Sequence, residues 1–182
     1  MKRMGMTCMI VTVAVFLIAG CSTAPKSEVG KAKMDDKVQN AKDEAIKSDP
    51  GLKKFFDEAA GYAVFPTVGK GGIGVGGAFG KGEVYEGGQL AGYCKLTQAS
   101  IGFQLGGQSY TELIFFETKE ALDRFKTGKF AFSAQASAVA LKSGASANAE
   151  YMDGVAVFTM GESGLMYEAS IGGQKFSYQP KE

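Results

Sequence analysis

One stretch limits what this chain can fold into: Gly61-Tyr-Ala-Val-Phe-Pro-Thr-Val-Gly-Lys-Gly-Gly-Ile-Gly-Val-Gly-Gly-Ala-Phe-Gly-Lys-Gly82. It is too apolar for a linker and too rich in glycine for a helix interior, where each Gly costs about 1 kcal/mol against Ala. Ile73, Val75 and Phe79 recur at even spacing, with Gly72, Gly74, Gly76 and Gly80 on the opposite parity. A period of two predicts a strand. One bare glycine face lets a helix, a second backbone or a ligand approach closely. The residues before the stretch read as a tether, and those after it read as further sheet.

The N-terminus has the pattern of a processing signal. Lys2 and Arg3 form a positive start and Met9 to Ala19 an apolar run, too short for a membrane span of about 20 residues. The run ends in Leu17-Ile-Ala-Gly-Cys21, which resembles the lipobox of bacterial lipoproteins. That resemblance implies removal of residues 1–20 and acylation of Cys21 by a diacylglycerol thioether and an amide-linked chain. Ser22 rather than Asp comes after the Cys, so outer-membrane sorting, facing the periplasm, is the expectation. An ordinary cleaved signal with an incidental Cys21 is the alternative. The sequence has 20 Lys and Arg against 19 Asp and Glu; losing Lys2 and Arg3 leaves 18 against 19. A balance near neutrality implies no nucleic-acid partner. Of the three cysteines only Cys94 would remain as a free thiol, so no internal disulfide can form. Its apolar neighbours suggest a small core residue.

Residues 21–27 read as a polar, lipidated spacer. Next comes an amphipathic helix over 28–47, its narrow apolar stripe being Met34, Val38, Ala41 and Ala45. Such a helix either packs lightly on the domain or lies near the membrane. Ser48-Asp-Pro50 predicts a second helix start; Leu52, Phe55, Phe56, Ala59 and Ala60 form its apolar face, and Gly61 is its expected stop. Strands are expected at 62–65, 72–79, 83–85, 89–96, 99–105 and 111–117, with turns at Gly80-Lys-Gly82 and Glu86-Gly-Gly88. Thr118 is a natural cap for a helix over 119–126. Residues 130–141 alternate imperfectly, as a strand or alternatively a helix. Residues 154–160 and 165–171 read as a hairpin around Gly161-Glu-Ser-Gly164, and 174–178 as a last strand.

Chemistry is constrained mainly by absence. The chain has no histidine, which removes the usual general bases, the Ser/His and Cys/His nucleophile pairs and the common zinc sets. Gly72-Ile-Gly-Val-Gly-Gly77 matches part of a dinucleotide fingerprint, but it lies inside a strand pattern rather than opening a helix. Gly80-Lys81 leads into Gly82, not Ser or Thr, so no phosphate-binding P-loop forms. No cofactor, metal site or catalytic residue is expected. Lys70 and Lys81 bracket the glycine strand and Lys53 and Lys54 precede it. Cations beside an apolar strand suit an anionic headgroup, although solvated loop lysines have the same spacing. Phe79 is either an apolar contact for lipid or a core residue.

Several blocks, in order, resemble the SYLF domain family. They are Gly61-Tyr-Ala-Val-Phe-Pro66, Lys70-Gly-Gly-Ile-Gly-Val-Gly-Gly77 leading into Gly82-Glu-Val84, Ala99-Ser-Ile-Gly-Phe-Gln-Leu-Gly-Gly-Gln108, Thr118-Lys-Glu-Ala-Leu122 and Ser163-Gly-Leu-Met-Tyr167. The resemblance runs from about Leu52 to Tyr178, within a domain set at 48–182. It implies a non-catalytic domain that binds membrane phospholipid. Actin, a partner of eukaryotic members, is not expected for a lipid-anchored bacterial protein. Where eukaryotic members are basic before the last Gly-Leu, this chain has Glu162. The expected fold is α+β: a curved antiparallel sheet or partly closed barrel, with two N-terminal helices and one internal helix. The competing expectation is an interaction protein of the envelope that docks a protein partner on the glycine face.

Overall fold

The computed structural model describes residues 23–102, 107–132, 137–161 and 168–181. Helices α1 (Glu28–Ser48), α2 (Leu52–Glu58) and α3 (Lys119–Lys126) accompany seven strands. These are β1 (Gly61–Glu86), β2 (Gln89–Gly102), β3 (Gly107–Phe116), β4 (Ser137–Ala140), β5 (Val155–Gly161), β6 (Glu168–Ser170) and β7 (Lys175–Pro180). They form one open, curved sheet in the order β6-β4-β5-β3-β1-β2-β7. The α+β class, with two N-terminal helices and one internal helix, agrees with the sequence.

The glycine stretch is a single 26-residue strand. Its first arm pairs with β3, from Gly61↔Phe116 to Gly71↔Gly107, and its second with β2, from Gly74↔Gly102 to Glu86↔Gln89. The arms return along one another. A Cβ on Gly82 would lie 2.2 Å from the Val64 carbonyl oxygen, and one on Gly61 would lie 2.6 Å from that of Tyr85. Beside Gly82 the space is thus filled by backbone, and beside Gly80 by the Val68 side chain and the Thr67 carbonyl oxygen. Gly80-Lys-Gly82 is not a turn, contrary to expectation; its glycines let the arms meet inside the strand. Nor does Gly61 stop α2. Ala59 caps that helix in an extended conformation, and Ala60 N–H already donates to Phe116 O. The turn at Glu86-Gly87-Gly88 is real, with φ of 56° and 77° at the two glycines, the left-handed pair that a tight hairpin needs.

The last third of the chain departs further from what the sequence predicts. Residues 155–161 and 168–170 do not pair as a hairpin: β6 pairs with β4, and β4 runs parallel to β5 through Val139↔Phe158 and Ala140↔Thr159. Parallel neighbours need a connection of a dozen residues or more, and 141–154, containing the 3-10 turn Ala145–Asn148, supplies it. The sheet is thus mixed rather than wholly antiparallel. Of the expected segment 130–141, strand is found only at Ser137–Ala140; 133–136 and 162–167 lie outside the described residues.

Side chains alternate across the sheet and make two cores. One face, with Ala63, Phe65, Ile114, Phe116 and Val157, is covered by Leu122 and Phe125 of α3. The other, with Tyr62, Val64, Leu113, Phe115 and Phe158, is covered by α1 and α2. The stripe on α1 docks on the domain: Val38, Ala41 and Ala45 are buried. Lys42 Nζ donates to Tyr62 OH at 3.0 Å and stands 5.1 Å from the ring centres of Tyr62 and Tyr85. Glu86, at the end of β1, accepts from Lys119 and Lys126 of α3, and these hydrogen bonds lower its carboxyl to about 2.

Asp49 joins distant segments. Its Oδ1 accepts from Gly51 N–H at 3.1 Å and its Oδ2 from Ser146 N–H at 2.6 Å. Burial raises its carboxyl, but these backbone hydrogen bonds outweigh burial and hold it below the ordinary range. Asp49→Ala leaves the Ser146 amide without its acceptor. The expected loss, read by urea unfolding, is about 2 kcal/mol; an unchanged midpoint would mean this tie carries no stability.

Candidate functional site

Strand register gathers an outer patch that spacing alone does not show. On the second arm of β1, the even positions Ala78, Gly80, Gly82 and Val84 are buried, while Phe79 is 49% exposed and Lys81 half-buried on the opposite face. Across β2 and β7, Phe79 stands opposite Thr97, and Thr97 opposite Lys175. In the next row Lys81 stands opposite Lys95, and Lys95 opposite Ser177. Residues directly opposite on one sheet face are about 5 Å apart at Cβ, and like charges so placed repel. Lys81, Lys95 and Lys175 thus form a cationic patch on three adjacent strands, with an exposed aromatic ring at its edge.

The N-terminal chain arrives beside this patch. Thr23 Oγ1 is 3.5 Å from Ser177 Oγ, and Ala24 N–H donates to Gln179 Oε1 at 3.1 Å. Ser27 then caps α1 through Gly30 N–H. The third row of the same face, Glu83, Tyr93 and Gln179, lies next to this incoming chain.

The other sequence-derived candidates fall elsewhere. Lys70 pairs with Gln108 and shares parity with buried Val68 and Tyr110, so it belongs to the sheet face opposite Lys81. Lys53 and Lys54 are exposed on α2, where Lys53 pairs with Asp57 at 2.6 Å and Lys54 with Glu58 at 3.9 Å. That helix packs on β3 and β5, through Phe55 against Phe115 and Phe158. Cys21 lies outside the described residues. The structure therefore joins Lys81 and Phe79 and sets Lys70, Lys53 and Lys54 apart. Sequence reasoning misses Lys95 and Lys175, because nothing in either one's local sequence announces a role; only the pairing of β2 with its neighbours does. Cys94 is fully buried, and burial pushes its thiol well up.

Two carboxyls are raised by burial. Glu83 lies under α1, with Tyr85 OH donating to it at 2.7 Å and more weakly, at 3.3 Å, to Asp35. Glu112 is raised to about 7 on the other core face, where it accepts from Gln174 Nε2 at 2.9 Å. The sheet separates them, so they do not form an acid/base pair across a shared cleft. Among the described residues no cluster of three metal-ligating side chains occurs, and no helix is long and apolar enough to cross a membrane.

Similarity to known proteins covers most of this architecture. The Ysc84 family model, described as Las17-binding protein actin regulator, matches residues 97–182. Beta cell expansion factor A of Aeromonas veronii is 32% identical over 136 residues, which cover 70% of this chain and 49% of that protein. The chain thus spans about half the length of that relative.

Proposed function

The chain belongs to the SYLF family, matched by the Ysc84 model over residues 97–182, and from that premise we propose that it is a lipid-anchored, non-catalytic module of the bacterial envelope that binds phospholipid. Its contact surface in this reading is the Lys81, Lys95 and Lys175 patch with Phe79. The observation that carries it is the position of Thr23 against Ser177, at the end of the lysine row.

The reach of the chain links anchor to patch. Two residues of extended chain span about 7 Å at most, so an acyl anchor on Cys21 keeps the bilayer close to Thr23 and hence to this row. Each lysine near an anionic surface contributes about 1 kcal/mol. Phe79, half-exposed at the edge, adds apolar contact area. One acyl chain holds weakly, whereas the several chains of a lipobox cysteine hold stably. The tether then raises local lipid concentration, so the headgroup site itself can be weak.

The test is flotation of the mature chain carrying Cys21→Ser with phosphatidylglycerol-containing vesicles and with phosphatidylcholine vesicles. The expected result is binding to the anionic vesicles, weakened about 30-fold by Lys81→Ala plus Lys95→Ala. Lys53→Ala plus Lys54→Ala should leave it nearly unchanged. Binding that survives the first pair moves the site off this face. No binding to either vesicle favours the competing reading, a protein partner in the envelope.

A further inference from the structure

A cavity of about 680 Å³ opens between α3, β4 and β5. Its walls include Phe130, Phe132, Val139, Val157 and Ile171. Val139 is 36% exposed, and Met152, also lining it, is 78% exposed. Two of the four large exposed apolar side chains among the described residues therefore belong to this one cavity. Its volume lies in the about 300–1,000 Å³ range of small-molecule sites.

The walls define the ligand class. Sites for polar ligands place a few convergent polar groups at fixed positions. Among the described residues that line it, the charged ones are two cations, Arg124 and Lys129, and two acids, Glu150 and Asp153, with no excess of either sign. Arg124 is already engaged, donating from Nη2 to Asp153 O at 2.7 Å. What remains is apolar and partly aromatic, suited to a ligand with little polar functionality. The cavity also adjoins the lysine patch: Ala131, one of its walls, forms a β-bridge with Lys175.

We propose that this cavity accepts a single acyl chain, from a bilayer phospholipid or a free fatty acid. The proposal rests on the lipid reading above for its ligand class, but its site and its test are separate.

The test titrates the mature Cys21→Ser chain with cis-parinaric acid, a fatty acid that fluoresces in apolar surroundings. Saturable binding of one equivalent is expected. Val139→Trp and Ala131→Trp, which place an indole at partly exposed or exposed wall positions, should each weaken it at least tenfold. Lys81→Ala plus Lys95→Ala should leave it unchanged. Circular dichroism melting confirms that each variant is folded; if one Trp variant fails to fold, the other carries the result. No saturable binding, or titrations unaltered in the folded Trp variants, would overturn the proposal. Parinaric binding without vesicle flotation would leave the cavity standing and remove the membrane surface, and the reverse outcome would do the opposite. Mass spectrometry of lipid extracted from the purified chain distinguishes the sources, as a two-chain phospholipid or a free fatty acid.

Discussion

Gly82→Ala is expected to destabilise the domain by about 3 kcal/mol, the upper end of the cost of overpacking a closed interior. The added Cβ would stand 2.2 Å from the Val64 carbonyl oxygen, 2.9 Å from its carbonyl carbon and 3.0 Å from Phe65 Cδ1. Two of these three atoms are backbone, so no side-chain rotation relieves the contact. The arms of β1 must separate, and the first arm holds β3 while the second holds β2. For a chain of this size the loss corresponds to a fall in Tm of roughly 10 °C. Gly107→Ala is the control, since a Cβ there meets nothing within 4 Å and should change stability by no more than about 0.5 kcal/mol. A Gly82→Ala melting curve that overlays the control would show that the arms are not in contact.

The second large effect depends on pH. Glu112 is fully buried between β1 and β5, its carboxyl raised to about 7 by loss of water, with Gln174 and Tyr110 opposing that rise only in part. Below about pH 4.5 the carboxyl is neutral in folded and unfolded chains alike. As pH climbs from there to 7, the unfolded chain ionises while the folded one stays protonated, so stability falls. Above 7 the loss is complete, at about 3 kcal/mol for a shift of this size. Glu83 is raised as well and slopes the same way, so the informative comparison is with Glu112→Gln. The amide cannot ionise, and it supplies an N–H donor beside Thr159 Oγ1 and Gln174 Oε1, both buried without a partner. The variant should match the wild type near pH 4 and exceed it by about 3 kcal/mol at pH 8, read by urea midpoints across that range. Parallel profiles for the two proteins would remove Glu112 as the source.

Much of the fold could be read from short-range pattern. The stripe Val38, Ala41 and Ala45 marked α1, and Thr118 marked the start of α3, where its side chain accepts from Ala121 N–H at 3.3 Å. Gly87 and Gly88 marked the tight turn because their left-handed φ is a local demand. The errors share a cause. Gly80 and Gly82 have the composition of a turn, but they are glycines because another backbone lies against them, and that neighbour is some 13 to 18 residues away in sequence. Likewise β6 pairs with β4 rather than β5, a choice set by the long connection over 141–154 and the docking of Ser146 on Asp49.

The candidate site divides in the same way. Sequence alone determined that Cys21 follows an apolar run ahead of the domain, that the chain lacks the histidines of common catalytic sites, and that Phe79 and Lys81 alternate with glycines. These are properties of residue identity and period, which need no partner strand. Tertiary structure decided that Lys95 and Lys175, rather than Lys70, Lys53 or Lys54, share a surface with Lys81, and that Thr23 enters beside them. It also decided where the cavity lies, between elements that meet only in the folded chain. The physical reason is register: in a sheet, the neighbour of a side chain is fixed by hydrogen bonds to another strand, and a shift of one residue would carry it to the opposite face.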